Sequence, residues 1–132
     1  MLLPPGFAPV FPYMTVRDAP ALIAFLTKAF RATEIGRSVH ASGRIMNAEL
    51  RISGAHFMVG EPENKDQCRP GSYYIFVENA DRAMAQALES GAKMISPVSD
   101  KPYGDRQGGV EDPVGNWWWI SQRMVAGPYQ HE

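Results

Sequence analysis

The sequence predicts an α+β domain made of two tandem βαβββ units. An internal repeat carries this prediction. The segment "YMTVRDA" (13–19) returns 61 positions later as "YIFVENA" (74–80), with tyrosine, valine and alanine in matching places and Asp or Asn before the alanine. Each copy is followed by a run with helical apolar spacing, and then by three strand-like runs in the same order.

The elements follow in turn. In "PALIAFLTKAF" (20–30), Leu22, Ile23, Leu26, Ala29 and Phe30 recur at the spacing of a helix with one buried face. In the second half, Ala80, Met84, Ala87 and Leu88 do the same across "DRAMAQALES" (81–90), with Gly91 as the stop. Asp18 and Asn79 each stand where a helix N-cap is needed. Strands "EIGRSVH" (34–40) and "RIMNAELRI" (44–52) flank the turn "ASG", and "AHFMVGE" (55–61) follows the Ser53-Gly54 turn. The second set is "KMISPV" (93–98), "QGGVE" (107–111) and "NWWWIS" (116–121). The last two flank "DPVG", where Pro113 and Gly115 suit the second and fourth turn positions. The expected layout is one domain over 1–132. It comprises a first half at about 10–61, a polar linker 62–71, a second half at about 72–122 and a tail 123–132.

Composition narrows the function class. At 132 residues, with 45% hydrophobic and 20% charged side chains, the chain suits one globular domain. A net charge of −1 without a basic block argues against a nucleic-acid partner. No apolar run reaches the roughly 20 residues of a membrane span. The start "MLLPPGFAPVFPY" lacks the basic opening of a signal peptide. Cys68 is the one cysteine, which excludes an intrachain disulfide and fits a reducing compartment. A cytoplasmic location is the expectation. Phosphate-cradling glycine loops, His-Glu-x-x-His, paired cysteines and a nucleophile elbow are all missing from the sequence.

The segments "YMTVRDAPALIAFLTKAF", "GRIMNAELRISGAHFMVGE", "YGDR" and "DPVGNWWWI" resemble the vicinal oxygen chelate superfamily, which holds glyoxalase I, bleomycin-resistance proteins and extradiol dioxygenases. Gly-Asp-Arg followed by Asp-Pro-x-Gly-x-x-Trp is similar to the PhnB-like subgroup. The resemblance covers residues 10 to 122 and implies a curved mixed sheet or half-barrel, commonly completed as a homodimer. It also implies a divalent metal ion held by four inward-facing His, Glu or Gln side chains, which polarises vicinal oxygens. Carried onto this sequence, those positions are Phe11, Met58, Ser72 and Trp119. None is a ligand type for a hard divalent ion. The expected cofactor is therefore none, with a relocated divalent metal as the alternative.

The parity of strand residues then says what faces inward in such a fold. If Trp119 points in, Trp117 shares its face, while Trp118 and Ile120 point away. By the same rule Phe11, Tyr13 and Thr15 point in, as do Ser72, Tyr74 and Phe76, and His56 with Met58. The expected cup is aromatic, suited to planar rings and cations. Filling of the cup by these same rings, as a solid core or a dimer contact, is the structural alternative.

Polar candidates each have two readings. Glu49 alternates against Met46, Ala48, Leu50 and Ile52, so it lies on the opposite face with Asn47 and Arg51. It can pair with Arg51 or Arg44, contact a ligand, or act as a catalytic acid or base. His56 is a ligand contact or a strand-end histidine satisfied by solvent or backbone. Arg106, placed with Asp105 on a loop before the seventh strand, can clamp an anion or brace that loop. Asp112 is a turn-former, while Cys68, His40 and His131 are incidental. Two functions compete. One is a binding protein holding a small hydrophobic or aromatic molecule without a metal. The other is a lyase, isomerase or dioxygenase using a relocated metal or metal-free acid-base chemistry at Glu49 or Tyr74.

Overall fold

A computed structural model describes residues 1–131, so Glu132, the last residue of the expected tail, lies outside the described residues. The chain divides into two compact units, Met1–Pro70 and Gly71–Glu132. Unit 1 holds β1 (Tyr13–Thr15), α1 (Ala19–Phe30), β2 (Thr33–Val39), β3 (Ile45–Ile52) and β4 (Ala55–Gly60). Unit 2 holds β5 (Ser72–Phe76), α2 (Ala80–Glu89), β6 (Lys93–Asp100), β7 (Asp105–Glu111) and β8 (Trp117–Arg123). Each unit is therefore βαβββ, and the fold is α+β.

Each unit builds one mixed sheet of four strands, ordered β1-β4-β3-β2 and β5-β8-β7-β6. The first strand pairs parallel with the last, and the other neighbours are antiparallel. The repeat persists in the register. Tyr13 pairs with Met58 in unit 1, and Tyr74 with Trp119 in unit 2. It persists in the helix starts as well. Asp18 Oδ1 accepts from the Ala21 amide at 3.0 Å, and Asn79 Oδ1 accepts from Arg82 at 3.0 Å. In each unit, the side chain just after the last strand residue paired with the unit's first strand caps the first helical amide. Glu61 Oε2 accepts from Ala19 at 2.9 Å, and Gln122 Oε1 accepts from Ala80 at 3.0 Å. Both caps satisfy amides that the helix cannot bond internally.

Burial follows the apolar pattern with one exception. Leu22, Ile23, Leu26, Ala29 and Phe30 are buried in α1, as are Ala80, Met84 and Ala87 in α2. Leu88, expected on that buried face, is 37% exposed. Met84 makes the contact instead, its methyl lying over Gly108 of β7. Three further expectations are corrected. Phe11 precedes β1 rather than lying on it, because Pro12 has no amide to donate to a ladder. The linker contains a turn of 3-10 helix, Lys65–Gln67, opened by the Asn64 side chain. Asp105 and Arg106 lie on β7 rather than a loop, paired with Arg123 and Gln122 of β8. No helix among the described residues is long and apolar enough to cross a membrane.

Candidate functional site

The three consecutive tryptophans of β8 separate as strand parity requires. Trp118 is buried, and its Nε1 donates to Asp112 Oδ2 at 2.8 Å. Asp112 Oδ1 meanwhile accepts from the amides of Val114 at 2.9 Å and Asn116 at 3.0 Å. One carboxylate thus sets the Asp-Pro turn and satisfies a buried indole. Trp117 and Trp119 take the other face, edge to face, with centroids 6.2 Å apart.

Trp119 is held from two sides. Its Nε1 donates to Ser72 Oγ at 2.8 Å, and its six-membered ring lies over Gly109, where a Cβ would come within 2.6 Å of the ring. Glycine at 109 is what lets the indole settle onto the sheet. Beside that ring opens a pocket of about 330 Å³, walled by Trp119 of β8 and Tyr74 of β5. Ser96 of β6, Lys101 and Tyr103 of the turn that follows it, and Gln107 and Gly108 of β7 complete the lining.

A polar relay runs along the pocket wall. The Tyr103 hydroxyl donates to Gln107 Oε1 at 2.5 Å, Gln107 Nε2 donates to Ser121 Oγ at 2.7 Å, and Ser121 Oγ donates to the Trp119 carbonyl at 3.2 Å. Gln107 and Ser121 are buried, so the relay fixes the Gln107 amide in one orientation. Burial, and then the neighbouring Tyr74 hydroxyl, push the Tyr103 phenol above its ordinary range, so it remains a donor.

The turn that carries Lys101 and Tyr103 is braced. The Lys101 amide donates to the Asp105 carbonyl at 2.8 Å, and the Gly104 amide to the Lys101 carbonyl at 3.1 Å. Gly104 has φ +93°, and a Cβ there would meet the Val125 side chain at 2.6 Å. Asp105 is buried and accepts from Arg123 Nη1 at 3.0 Å and from the Tyr129 hydroxyl at 2.6 Å. The Arg123 guanidinium lies 4.3 Å from the Tyr129 ring centroid. The expected tail is thus anchored to β7 and β8 through Tyr129, whose phenol is pushed up to about 12 by its bond to Asp105.

The other candidates fall in different places. Arg106 gives two bonds to Asp81, at 2.9 and 3.0 Å, and one to Asp100 at 3.1 Å. Those carboxylates hold its guanidinium above its ordinary value, and a ligand anion would have to displace them. Phe76 and Trp117 share the face of Tyr74 and Trp119 but lie outside the pocket lining; the Trp117 Nε1 donates to Glu111 at 3.1 Å.

In unit 1, Phe11, His56 and the buried Phe7 form a ring cluster, with Phe7 centroids 4.5 Å from Phe11 and 5.2 Å from His56. Gly6 lies so close to His56 that a Cβ would fall 2.4 Å from its Nε2. His56 is thus covered by the N-terminal segment. Its Nδ1 lies 3.5 Å from Glu49 Oε2, within ion-pair reach but without hydrogen-bond geometry. Met58 Sδ accepts from Asn47 Nδ2 at 3.2 Å, and the Tyr13 hydroxyl donates to the Met46 carbonyl at 3.3 Å.

The four positions at which the resemblance implies metal ligands do not suit a hard divalent ion. Phe11 offers no donor, Met58 a soft thioether, and Trp119 spends its N–H on the Ser72 hydroxyl. Among the described residues, no three His, Cys, Asp or Glu side chains cluster as a metal would require.

Over residues 8–120 the chain matches the model of the Glyoxalase/Bleomycin resistance protein/Dioxygenase superfamily. The chain belongs to that superfamily. Among superfamily relatives, the Mycobacterium bovis protein Mb0911c is 32% identical over 123 residues, spanning 84% of this chain and 80% of that one. TioX from Micromonospora sp. ML1 shares the fold with a TM-score of 0.74 at 22% identity, over 88% of this chain and 98% of its own. The PhnB protein from Bacillus cereus does so with a TM-score of 0.70 at 15% identity, over 87% and 99%. At these identities the likeness to the two structures is one of fold.

Of the residues singled out from the sequence, Tyr74 and Trp119 meet in one pocket. Ser96, Lys101, Tyr103 and Gln107 were missed. Gln107 was within reach: carrying inward parity from Trp119 across β7 selects Gly109 and Gln107. Tyr103 lies inside "YGDR", where the charged pair Asp105 and Arg106 is the stronger sequence signal.

Proposed function

We propose that this superfamily member binds a small aromatic molecule, non-covalently and without a metal ion, in the pocket of its second half. One observation carries the reading: the Trp119 indole, seated on Gly109 and tethered to Ser72, presents a fixed face to a space of about 330 Å³. That volume lies in the range of small-molecule sites, which combine apolar walls with a few fixed polar groups. Tyr74 supplies a second wall, and Tyr103 with Gln107 supplies the polar groups. Such a site needs only stacking and directional hydrogen bonds, which the positions above supply without a Lewis acid.

Titration of intrinsic fluorescence with a panel of planar bicyclic and tricyclic molecules tests this. Saturable quenching is expected, because Trp119 sits in the pocket wall. A broad panel that produces no saturable change would remove the proposal.

A second reading rests on the Glu49–His56 pair, a carboxylate 3.5 Å from an otherwise unpartnered imidazole nitrogen. It makes the protein an enzyme with relocated metal or acid-base chemistry. Metal analysis of protein purified without chelator separates the two. One tightly held ion per chain, lost in His56→Ala, would favour catalysis; background metal in both proteins is the result expected here.

A further inference from the structure

The charge balance around this pocket selects the class of ligand, an inference that rests on the binding reading above. The carboxylates on the strands and helix around the Lys101 turn are already engaged. Asp105 holds Arg123 and Tyr129, while Asp100 and Asp81 hold Arg106. Further along the same sheet face, Glu111 accepts from the Trp117 indole. Lys101 is different. It lines the pocket, it is half-buried, and no carboxylate of the described residues lies within ion-pair distance of its ammonium. Its backbone is fixed in the turn that Asp105 closes, which holds Lys101 against the pocket rather than on a free loop.

We propose that the pocket takes a small aromatic carboxylate, with its ring against Trp119 and its anionic group on Lys101. The other pocket groups agree. The Tyr103 hydroxyl and the Gln107 amide are neutral hydrogen-bonding groups, so neither provides the negative charge that a cationic ligand would need. An indole face attracts a cation weakly at an exposed site. A cation seated there would share the pocket with the Lys101 ammonium, and that repulsion works against the attraction. For an aromatic anion, stacking and charge act together, and a partly desolvated ammonium–carboxylate contact strengthens the binding.

The test uses three probes of nearly one shape, measured by isothermal titration on the full chain: 2-naphthoate, 2-naphthamide and 2-naphthylmethylammonium. Wild-type protein should bind the carboxylate about tenfold more tightly than the amide, and the ammonium most weakly. Lys101→Met should abolish the carboxylate preference, so that carboxylate and amide bind alike, and Lys101→Glu should reverse the order of the charged probes. Salt should shrink the wild-type preference but not amide binding. Equal affinity for carboxylate and amide, or a preference that survives Lys101→Met, would overturn the charge assignment and leave the aromatic pocket standing. If the wild type binds none of the three, the pocket reading falls and this inference with it.

Discussion

Replacing Asp112 with alanine is expected to lower the unfolding free energy by about 4 kcal/mol, or roughly 12 °C in Tm for a chain of this size. Three donors lose their acceptor at once: the Val114 and Asn116 amides and the Trp118 indole. Asn116 and Trp118 are buried, so water does not replace the lost bonds. Hydrogen bonds to a charged acceptor contribute about 1.5–3 kcal/mol each, and sharing one carboxylate keeps their sum below three times that. Asp112→Asn separates the parts. Its Oδ1 still accepts from the turn amides, but its amide nitrogen faces the indole N–H, and a loss of about 2 kcal/mol is expected. Urea unfolding of both variants checks the order. A loss under 1 kcal/mol in Asp112→Ala would contradict the bond set described for this turn.

Trp119→Ala should act in the opposite way, weakening affinity for a planar ligand by about 2 kcal/mol, or thirtyfold, with a smaller effect on stability. The indole supplies the main stacking surface of the pocket but is itself only half-buried. Its removal frees the Ser72 hydroxyl, which is exposed and rehydrates. The comparison is informative because the two residues lie on one connected segment of unit 2. Asp112 governs folding through Trp118, on the buried face. Trp119, one residue on, governs binding on the face that carries the pocket. Titration calorimetry against a naphthalene-type ligand, paired with thermal melts, reads both effects. Unchanged affinity in Trp119→Ala would place the ligand elsewhere.

The fold was legible because it is written twice. The 61-residue offset between "YMTVRDA" and "YIFVENA" reappears in the paired positions Tyr13–Met58 and Tyr74–Trp119. It reappears in the helix caps Asp18 and Asn79, and in Glu61 and Gln122. Parity along β8 likewise separates Trp118 from its neighbours in the sequence alone, since two successive strand residues cannot share a face. What the sequence hid depends on contacts between residues distant along the chain. Asp105 and Arg106 sit among glycines and so resembled a loop, yet their backbone completes the β7 ladder against Arg123 and Gln122. His56 looked like an inward-facing polar group, but Gly6 and Phe7 fold over it, and nothing local to "GAHFMVG" records that. That no carboxylate of the described residues pairs with Lys101 emerges only once the partners of Asp81, Asp100 and Asp105 are known. An unpaired cation is defined by where every nearby carboxylate goes.

The claim that Trp119 walls an occupied-on-demand aromatic site is tested most directly by two-dimensional 15N–1H NMR of the three indole N–H groups during titration with 2-naphthoate. Trp119 Nε1–H, bonded to Ser72 beside the pocket, should shift progressively and saturate with one ligand per chain. Trp118 Nε1–H, buried against Asp112, should remain in place. A saturable shift of Trp118 with Trp119 unmoved, or no saturable shift of any indole, would contradict the account.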